Sequence, residues 1–435
     1  MTSPDEASVP DQQATVAPQQ AAHVTVDVIA TREAYLAAVD AIAAGNGPIA
    51  IDAERASGFR YSQRAYLIQI FRRGAGTYLF DPPAIGAFTE LDEALRDEEW
   101  ILHAASQDLT CLREVGIDPQ RLFDTELGAR LAGLPRVGLG TVVEDLLGVH
   151  LAKEFSAADW STRPLPQAWL VYAALDVELL VDLREALGSL LDADGKSEIA
   201  REEFEAVLAR DFRIVREQPW RRLSGLHSVR GVRGLAVARE LWQARDEYAR
   251  ETDIAPGRLV PDSALVAAAR VLPASKRDLV GMKEFTGRAS RSQIDRWWDA
   301  IQVGMTTEDL PVLRATTDSV PPPRAWPDKN PEADRRLKAA RIAVADTSAE
   351  LNIPIENVLT PDLLRRVSWA PPEPIELGAV REALAEMGAR EWQLDAVAAP
   401  ITAAFLDAEN PDVVEPSEAV VELHQSAPTE QEPES

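Results

Sequence analysis

The first half of the chain alternates short apolar runs of period two with stretches of helical period, whereas the second half carries only the helical pattern. The run Pro48-Ile49-Ala50-Ile51-Asp52-Ala53-Glu54 predicts a strand that sends Asp52 and Glu54 to the same face. Further strands are expected at Val24–Val28, Ala65–Phe71, Thr77–Phe80 and Trp100–Ala104. Helices are expected at Glu33–Ala44, Phe88–Arg96, Asp108–Val115, Thr125–Leu131, Leu139–Leu147 and Leu165–Leu187. That order describes an α/β sheet covered by helices over residues 23–192.

The remainder reads as all-α. A helical connector (193–217) leads to a unit at 218–303, with a helix at Leu235–Glu251, a turn at Ala255-Pro256-Gly257-Arg258 and a helix opening at Asp262. A linker (304–332) contains Pro321-Pro322-Pro323, which disfavours helix and strand. Four more helices follow within 333–407: Ala333–Glu350, Pro361–Val367, Leu377–Met387 and Glu391–Phe405. The polar start (1–22) and the acidic tail (408–435) are expected to be disordered.

The candidate chemistry is carboxylate chemistry. Tyr172 and Asp176 stand four residues apart in an apolar helix, which stacks phenol and carboxylate on one face. Asp108 follows a strand end, where open α/β sheets build their sites. Each piece alone is ordinary: an isolated Asp-x-Glu is usually a solvated strand edge, and Tyr172 with Asp176 is a plausible polar margin of an amphipathic helix. Brought together, such acids repel and raise one another's pKa values, a cost that divalent cations remove. Oxygen ligands favour Mg²⁺ or Mn²⁺, and a pair of such ions activates water and stabilises a leaving oxygen. Tyr172 suits orientation of the water better than proton abstraction, given an ordinary pKa of about 10. His103 is expected to be a packed or hydrogen-bonded histidine rather than a ligand.

In order, Asp52-x-Glu54, His103-x₄-Asp108 and Tyr172-x₃-Asp176 resemble the DEDDy class of 3′-to-5′ exonucleases, and within it the ribonuclease D family. Tyr66-Leu67-Ile68-Gln69, Phe123-Asp124-Thr125, Lys153-Glu154, Asp159-Trp160, Ser161 and Arg163-Pro164-Leu165 strengthen the likeness. The resemblance implies a mixed, ribonuclease-H-like sheet, two divalent metal ions held by Asp52, Glu54, Asp108 and Asp176, and a water placed by Tyr172. Asp52-Ala53-Glu54-Arg55 departs from the usual Asp-Thr-Glu-Phe, which leaves the contacts of that threonine and phenylalanine open. Leu241–Glu247 with Pro261-Asp262 and Leu279–Met282 resembles an HRDC domain, the helical module that follows the nuclease in this family. The third unit weakly resembles a second one.

Charge adjusts this picture. A formal net charge of -26 opposes simple nucleic-acid binding. The acidity is uneven, however: the tail from Asp407 holds no Lys or Arg, while residues 216–299 hold 16 Lys or Arg against 11 Asp or Glu. Arg221, Arg222, Arg230, Arg233, Lys276, Arg277 and Lys283, with Arg288 and Arg291, are therefore candidate phosphate contacts, a solvated helical face being the alternative. Trp297-Trp298 offers either a stacking ring or core. The single cysteine, Cys111, reads as a buried structural thiol in a reducing compartment. Neither a secretory signal nor an apolar run of membrane-spanning length is evident, so a cytoplasmic location is expected and no membrane partner. Gly195-Lys196-Ser197 echoes a P-loop, but Leu190 stands where its first glycine belongs. The expected activity is trimming of RNA 3′ ends, transfer-RNA precursors included by the resemblance, with release of nucleoside 5′-monophosphates and no obligate protein partner. A DNA exonuclease and a non-catalytic RNA-binding scaffold are the alternatives.

Overall fold

The computed structural model describes residues 27–151, 155, 157–213, 217–313 and 320–409. The expectations for residues 1–22, for Val24 to Val26, for Lys153-Glu154 and for the tail beyond residue 409 lie outside this set.

Six strands, β1 (Val28–Ile29), β2 (Asn46–Arg55), β3 (Ala65–Arg73), β4 (Gly76–Phe80), β5 (Glu99–Leu102) and β6 (Arg121–Asp124), form one sheet in the order β1-β4-β3-β2-β5-β6. The sheet is mixed: β2 and β4 run antiparallel to β3, and the pairs β1/β4, β2/β5 and β5/β6 are parallel. Strand β2 is covered on both faces, so Ile49, Ala50 and Ile51 are fully buried and its charged residues gather at the C-terminal end. Strand β6 was not expected; its two apolar residues are too few to show a period, and its pairing with β5 makes it a strand.

Helix α1 (Arg32–Ala43), capped by Thr31, precedes β2. Helices α2 (Leu109–Glu114), α3 (Thr125–Leu131) and α4 (Leu139–Leu147) follow β5 and β6. The single helix expected at Leu165–Leu187 is two: α5 (Gln167–Glu178) and α6 (Leu180–Ala193). Leu165 precedes Pro166, which disfavours helical geometry there and delays the start to Gln167. The break at Leu179 lets α5 lie against β2, β3 and β4 while α6 packs on β2, β5, α3 and α4. The connector helix is α7 (Ser197–Ala209).

The second unit comprises α8 (Gly231–Thr252), a one-turn helix at Pro256–Leu259, α9 (Asp262–Val271), several short turns and α10 (Ile294–Thr306). The expected turn at 255–258 is thus helical, because Pro256 holds the first helical position with its φ already set. This unit has its own core around Leu241, Leu265, Trp297 and Ile301. Trp297 is fully buried and donates to the Ser290 carbonyl at 2.9 Å, while Trp298 is partly buried. Helices α8 and α10 approach so closely that a Cβ on Gly304 would stand 2.6 Å from the Val237 Cα.

The third unit, α11 (Pro331–Leu351), a one-turn helix at Ile355–Val358, α12 (Pro361–Trp369), α13 (Leu377–Glu386) and α14 (Glu391–Glu409), repeats the opening plan of the second. Asp253 and Asn352 end the long helices in the left-handed region (φ 49°), and Val260 (φ -153°, ψ 127°) and Leu359 (φ -154°, ψ 128°) take the same extended turn into the next helix. The third unit shares its core with the α/β unit. Buried Glu203 on α7 accepts from Arg390 (Nε, 2.6 Å; Nη2, 2.9 Å) and from the Trp392 indole at 2.7 Å. Lys196, the P-loop echo, is buried and donates to the carbonyls of Leu131 and Asn352, joining the two units.

Candidate active site

Asp52 and Glu54 leave the same face of β2 at its C-terminal end, opposite Gln69 and Leu67 of β3. Gln69 is fully buried, and its amide nitrogen lies 3.5 Å from Asp52 Oδ2, so it orients that carboxylate. Between Glu54 and Arg55 the β2/β3 register slips by one residue, a bulge whose extra residue is Tyr66 of β3. A regular pleat would send Arg55 to the far face. Its long side chain nonetheless carries the guanidinium to Asp108, with Nη2 3.6 Å from Oδ1.

Asp108 is placed by a hinge just beyond β5. Ala104 adopts φ 61°, a 3₁₀ turn covers Ala105–Gln107, and α2 begins at Leu109, one residue later than the sequence suggests. Asp124, at the end of β6, fixes the hinge by accepting from the Ala104 and Ala105 amides at 3.0 and 2.8 Å while capping α3. The Cys111 thiol donates to the Asp108 carbonyl, and burial raises its pKa, leaving it a protonated packing group. Tyr172 and Asp176 come from α5, with the Tyr172 ring edge-on to Phe155.

Carboxylate oxygens of Asp52, Glu54 and Asp176 all lie within 4.8 Å of one another. Asp108 lies outside that cluster but near enough to Asp52 for each carboxyl to act on the other. All five predicted residues, with Arg55, Phe59 and His103, line one open cavity of about 580 Å³. Burial raises the pKa of every acid in it: Glu54 is pushed up to about 10 by desolvation and then by the charges of Asp52, Asp176 and Asp108, and Asp176 up to about 7 by desolvation and Asp52. Asp52 and Asp108 move in the same direction for the same first cause. Desolvation and the neighbouring Asp176 also raise the Tyr172 phenol above its ordinary range, so it is a hydrogen-bonding group and not a base. His103 Nδ1 contacts Thr125 Oγ1 at 2.9 Å, and burial lowers its pKa to about 4; it is a neutral wall residue.

Arg55 and Gln69 are the site residues that the sequence left without a role. Gln69 carried a signal within Tyr66-Leu67-Ile68-Gln69, whereas Arg55 was visible only as a departure from the family pattern.

The cavity rim reaches the second unit. Arg258 donates to the Gly58 carbonyl at 2.7 Å and stacks its guanidinium 3.9 Å from the Phe59 ring centroid, while the Ala255 amide donates to Phe59 at 3.0 Å. The predicted phosphate contacts divide into two sets. Arg221 donates to Gln218 and to the Val312 carbonyl, Arg233 to the Gly304 and Thr307 carbonyls at the end of α10, and Lys276 pairs with Asp295. Arg222, Arg230, Arg277 and Lys283 are exposed, as are Arg288 and Arg291. The third unit (320–409) holds 10 Lys or Arg against 15 Asp or Glu, so of the two helical units only the second carries an excess of basic residues.

A mixed sheet with acids gathered at the end of its central strand defines the class of 3′-5′ exonucleases, whose family model matches residues 26–192. The HRDC domain model matches residues 234–301, and a model described as the 3′ to 5′ exonuclease C-terminal domain matches 319–405. Ribonuclease D of Pseudomonas paraeruginosa is 31% identical over 287 residues, spanning 61% of this chain and 76% of that one. Ribonuclease D of Escherichia coli is 34% identical over a segment spanning 53% of this chain and 62% of its own. Among solved structures, a Bifidobacterium adolescentis protein superposes with TM-score 0.82 at 37% identity, covering 88% of this chain and 97% of that one. The Escherichia coli RNase D structure gives 0.63 at 28% identity, covering 83% and 98%. The chain belongs to the ribonuclease D family. Among the described residues no helix is long and apolar enough to cross a membrane.

Proposed function

We propose that the protein is a metal-dependent 3′-to-5′ exoribonuclease that trims structured RNA, transfer-RNA precursors among them, in the cytoplasm. The observation that carries this reading is the convergence of Asp52, Glu54 and Asp176, from two segments over a hundred residues apart, to within 4.8 Å. The donor set fits hard divalent ions, since every candidate ligand atom is a carboxylate oxygen and the acids are costly without a counter-charge. Asp52, Glu54 and Asp176 would hold one ion, and Asp52 with Asp108 a second, Mg²⁺ or Mn²⁺. Bound there, such ions supply an activated water and neutralise charge on the leaving oxygen. Gln69 keeps Asp52 turned into the cleft, and Tyr172, kept protonated, offers its hydroxyl to the attacking water. Exposed Arg222, Arg230, Arg277 and Lys283 are the cations available to RNA phosphates, and a nucleoside 5′-monophosphate is the product. The RNA class follows from the E. coli relative, described as an exoribonuclease involved in structured RNA processing.

Asp52→Ala and Asp176→Ala should each abolish metal-dependent release of mononucleotides while leaving the circular dichroism spectrum unchanged. The assay compares matched RNA and DNA strands with free and blocked 3′ ends. Release from a blocked end, or undiminished activity in either variant, refutes the assignment. Faster trimming of DNA redirects it to a DNA exonuclease, and RNA binding without release to a scaffold.

A further inference from the structure

Four carboxylates and one permanent cation line the cleft among the described residues, and the cation is Arg55. Its guanidinium faces Asp108, the acid that lies outside the three-carboxylate cluster, and its side chain remains 27% exposed to the cavity while that of Asp108 is 8% exposed. At 3.6 Å the pair lacks the 2.7–2.9 Å contact typical of a charge-assisted hydrogen bond, so it is an electrostatic pairing that a better cation can displace.

Charge counting gives the consequence. Two divalent ions balance four carboxylates, which leaves the positive charge of Arg55 in surplus, and a phosphodiester brings the one negative charge that matches it. A guanidinium on a flexible stem can exchange a carboxylate partner for a phosphate, which presents the same oxygen geometry to its fork.

We propose that Arg55 is a placeholder cation. It neutralises Asp108 before the second ion binds, yields that carboxylate to the ion, and turns to a phosphate of the RNA 3′ end. Second-ion binding and phosphate binding thereby reinforce each other, as linkage requires. The inference rests on the two-ion reading above, and the experiment separates the two.

Mn²⁺ binding to the full chain is titrated by calorimetry and by loss of the free-Mn²⁺ paramagnetic resonance signal, with and without AMP, a 5′-monophosphate that is not hydrolysed further at this site. Wild type should bind one ion tightly and a second weakly. Arg55→Gln should leave the first ion within twofold and tighten the second at least tenfold without AMP. At saturating Mn²⁺ the same variant should bind AMP at least fivefold more weakly. Arg55→Lys, which keeps a charge, should hold second-ion affinity within threefold of wild type. Arg55→Met, which keeps the aliphatic stem, carries the same expectation as Arg55→Gln should that variant not fold. A second-ion affinity unchanged within twofold in the neutral variants overturns the role of Arg55. Failure of wild type to bind any Mn²⁺ overturns the metal reading instead.

Discussion

The buried acids make an opposed pair of effects measurable in a single substitution, Asp176→Asn. Asp176 has its pKa raised from 3.8 to about 7, first by burial and then by Asp52, so at pH 8 it is ionised in both folded and unfolded chains but at a cost in the folded one. At 1.36 kcal/mol per pKa unit this cost is about 4 kcal/mol. Asparagine removes the charge, keeps an oxygen for the Tyr172 hydroxyl and pays its own smaller burial penalty, so a net gain of about 2 kcal/mol is expected. With roughly 2–4 °C per kcal/mol for domains of this size, the variant should melt about 4–8 °C above wild type in chelator at pH 8. Added Mg²⁺ should raise the wild-type midpoint more than that of the variant, and 3′ trimming should vanish. Scanning calorimetry with and without EDTA, paired with mononucleotide release, reads both effects. A variant that melts at or below wild type in chelator would refute the claim that this carboxylate is held against an electrostatic cost.

Three further outcomes follow from the same geometry. Because the folded-state pKa of Asp176 is raised, its contribution to stability is present below about pH 4 and lost as pH rises through about 7; chelator-treated protein should destabilise over that window by up to ~1.4 kcal/mol per unit, and Mg²⁺ should reverse the trend, as pH-dependent melts will test. Glu203→Ala leaves Arg390 and the Trp392 indole without their shared acceptor and should cost about 3–5 kcal/mol, freeing the third unit from the nuclease in hydrogen exchange while the HRDC domain stays protected. Arg258→Ala removes the stack on Phe59 at the cavity rim and should raise KM severalfold even for a dinucleotide too short to reach the exposed arginines of the HRDC domain; a defect confined to long RNA would contradict it.

Much of the site was legible because it is local. The period of two in β2 put Asp52 and Glu54 on one face, and the four-residue step in α5 joined Tyr172 to Asp176. Most long helices of the second half also fell near where their periodicity placed them, because long amphipathic patterns with polar caps leave little choice, whereas α10 was covered by no expectation. Errors cluster where short elements take their state from a partner. Strand β6 exists through its pairing with β5, and the break at Leu179 separates a helix packed on β2, β3 and β4 from one packed on β2, β5, α3 and α4.

By itself the sequence determined which groups could do chemistry, since residue type and local period fix charge, reach and facing. Only the tertiary structure decided which of them meet. It used Lys196 and Arg233 to close helix and domain junctions, fused one helical unit to the nuclease core through Glu203, and left the other tied by the loop at Phe59. It also brought the Arg55 guanidinium to Asp108 in the cleft, a meeting with no periodic signal. The physical reason is range: dihedral preferences and hydrophobic period act over a few residues, whereas burial, pairing and the electrostatics of converged charges exist only after distant segments have packed.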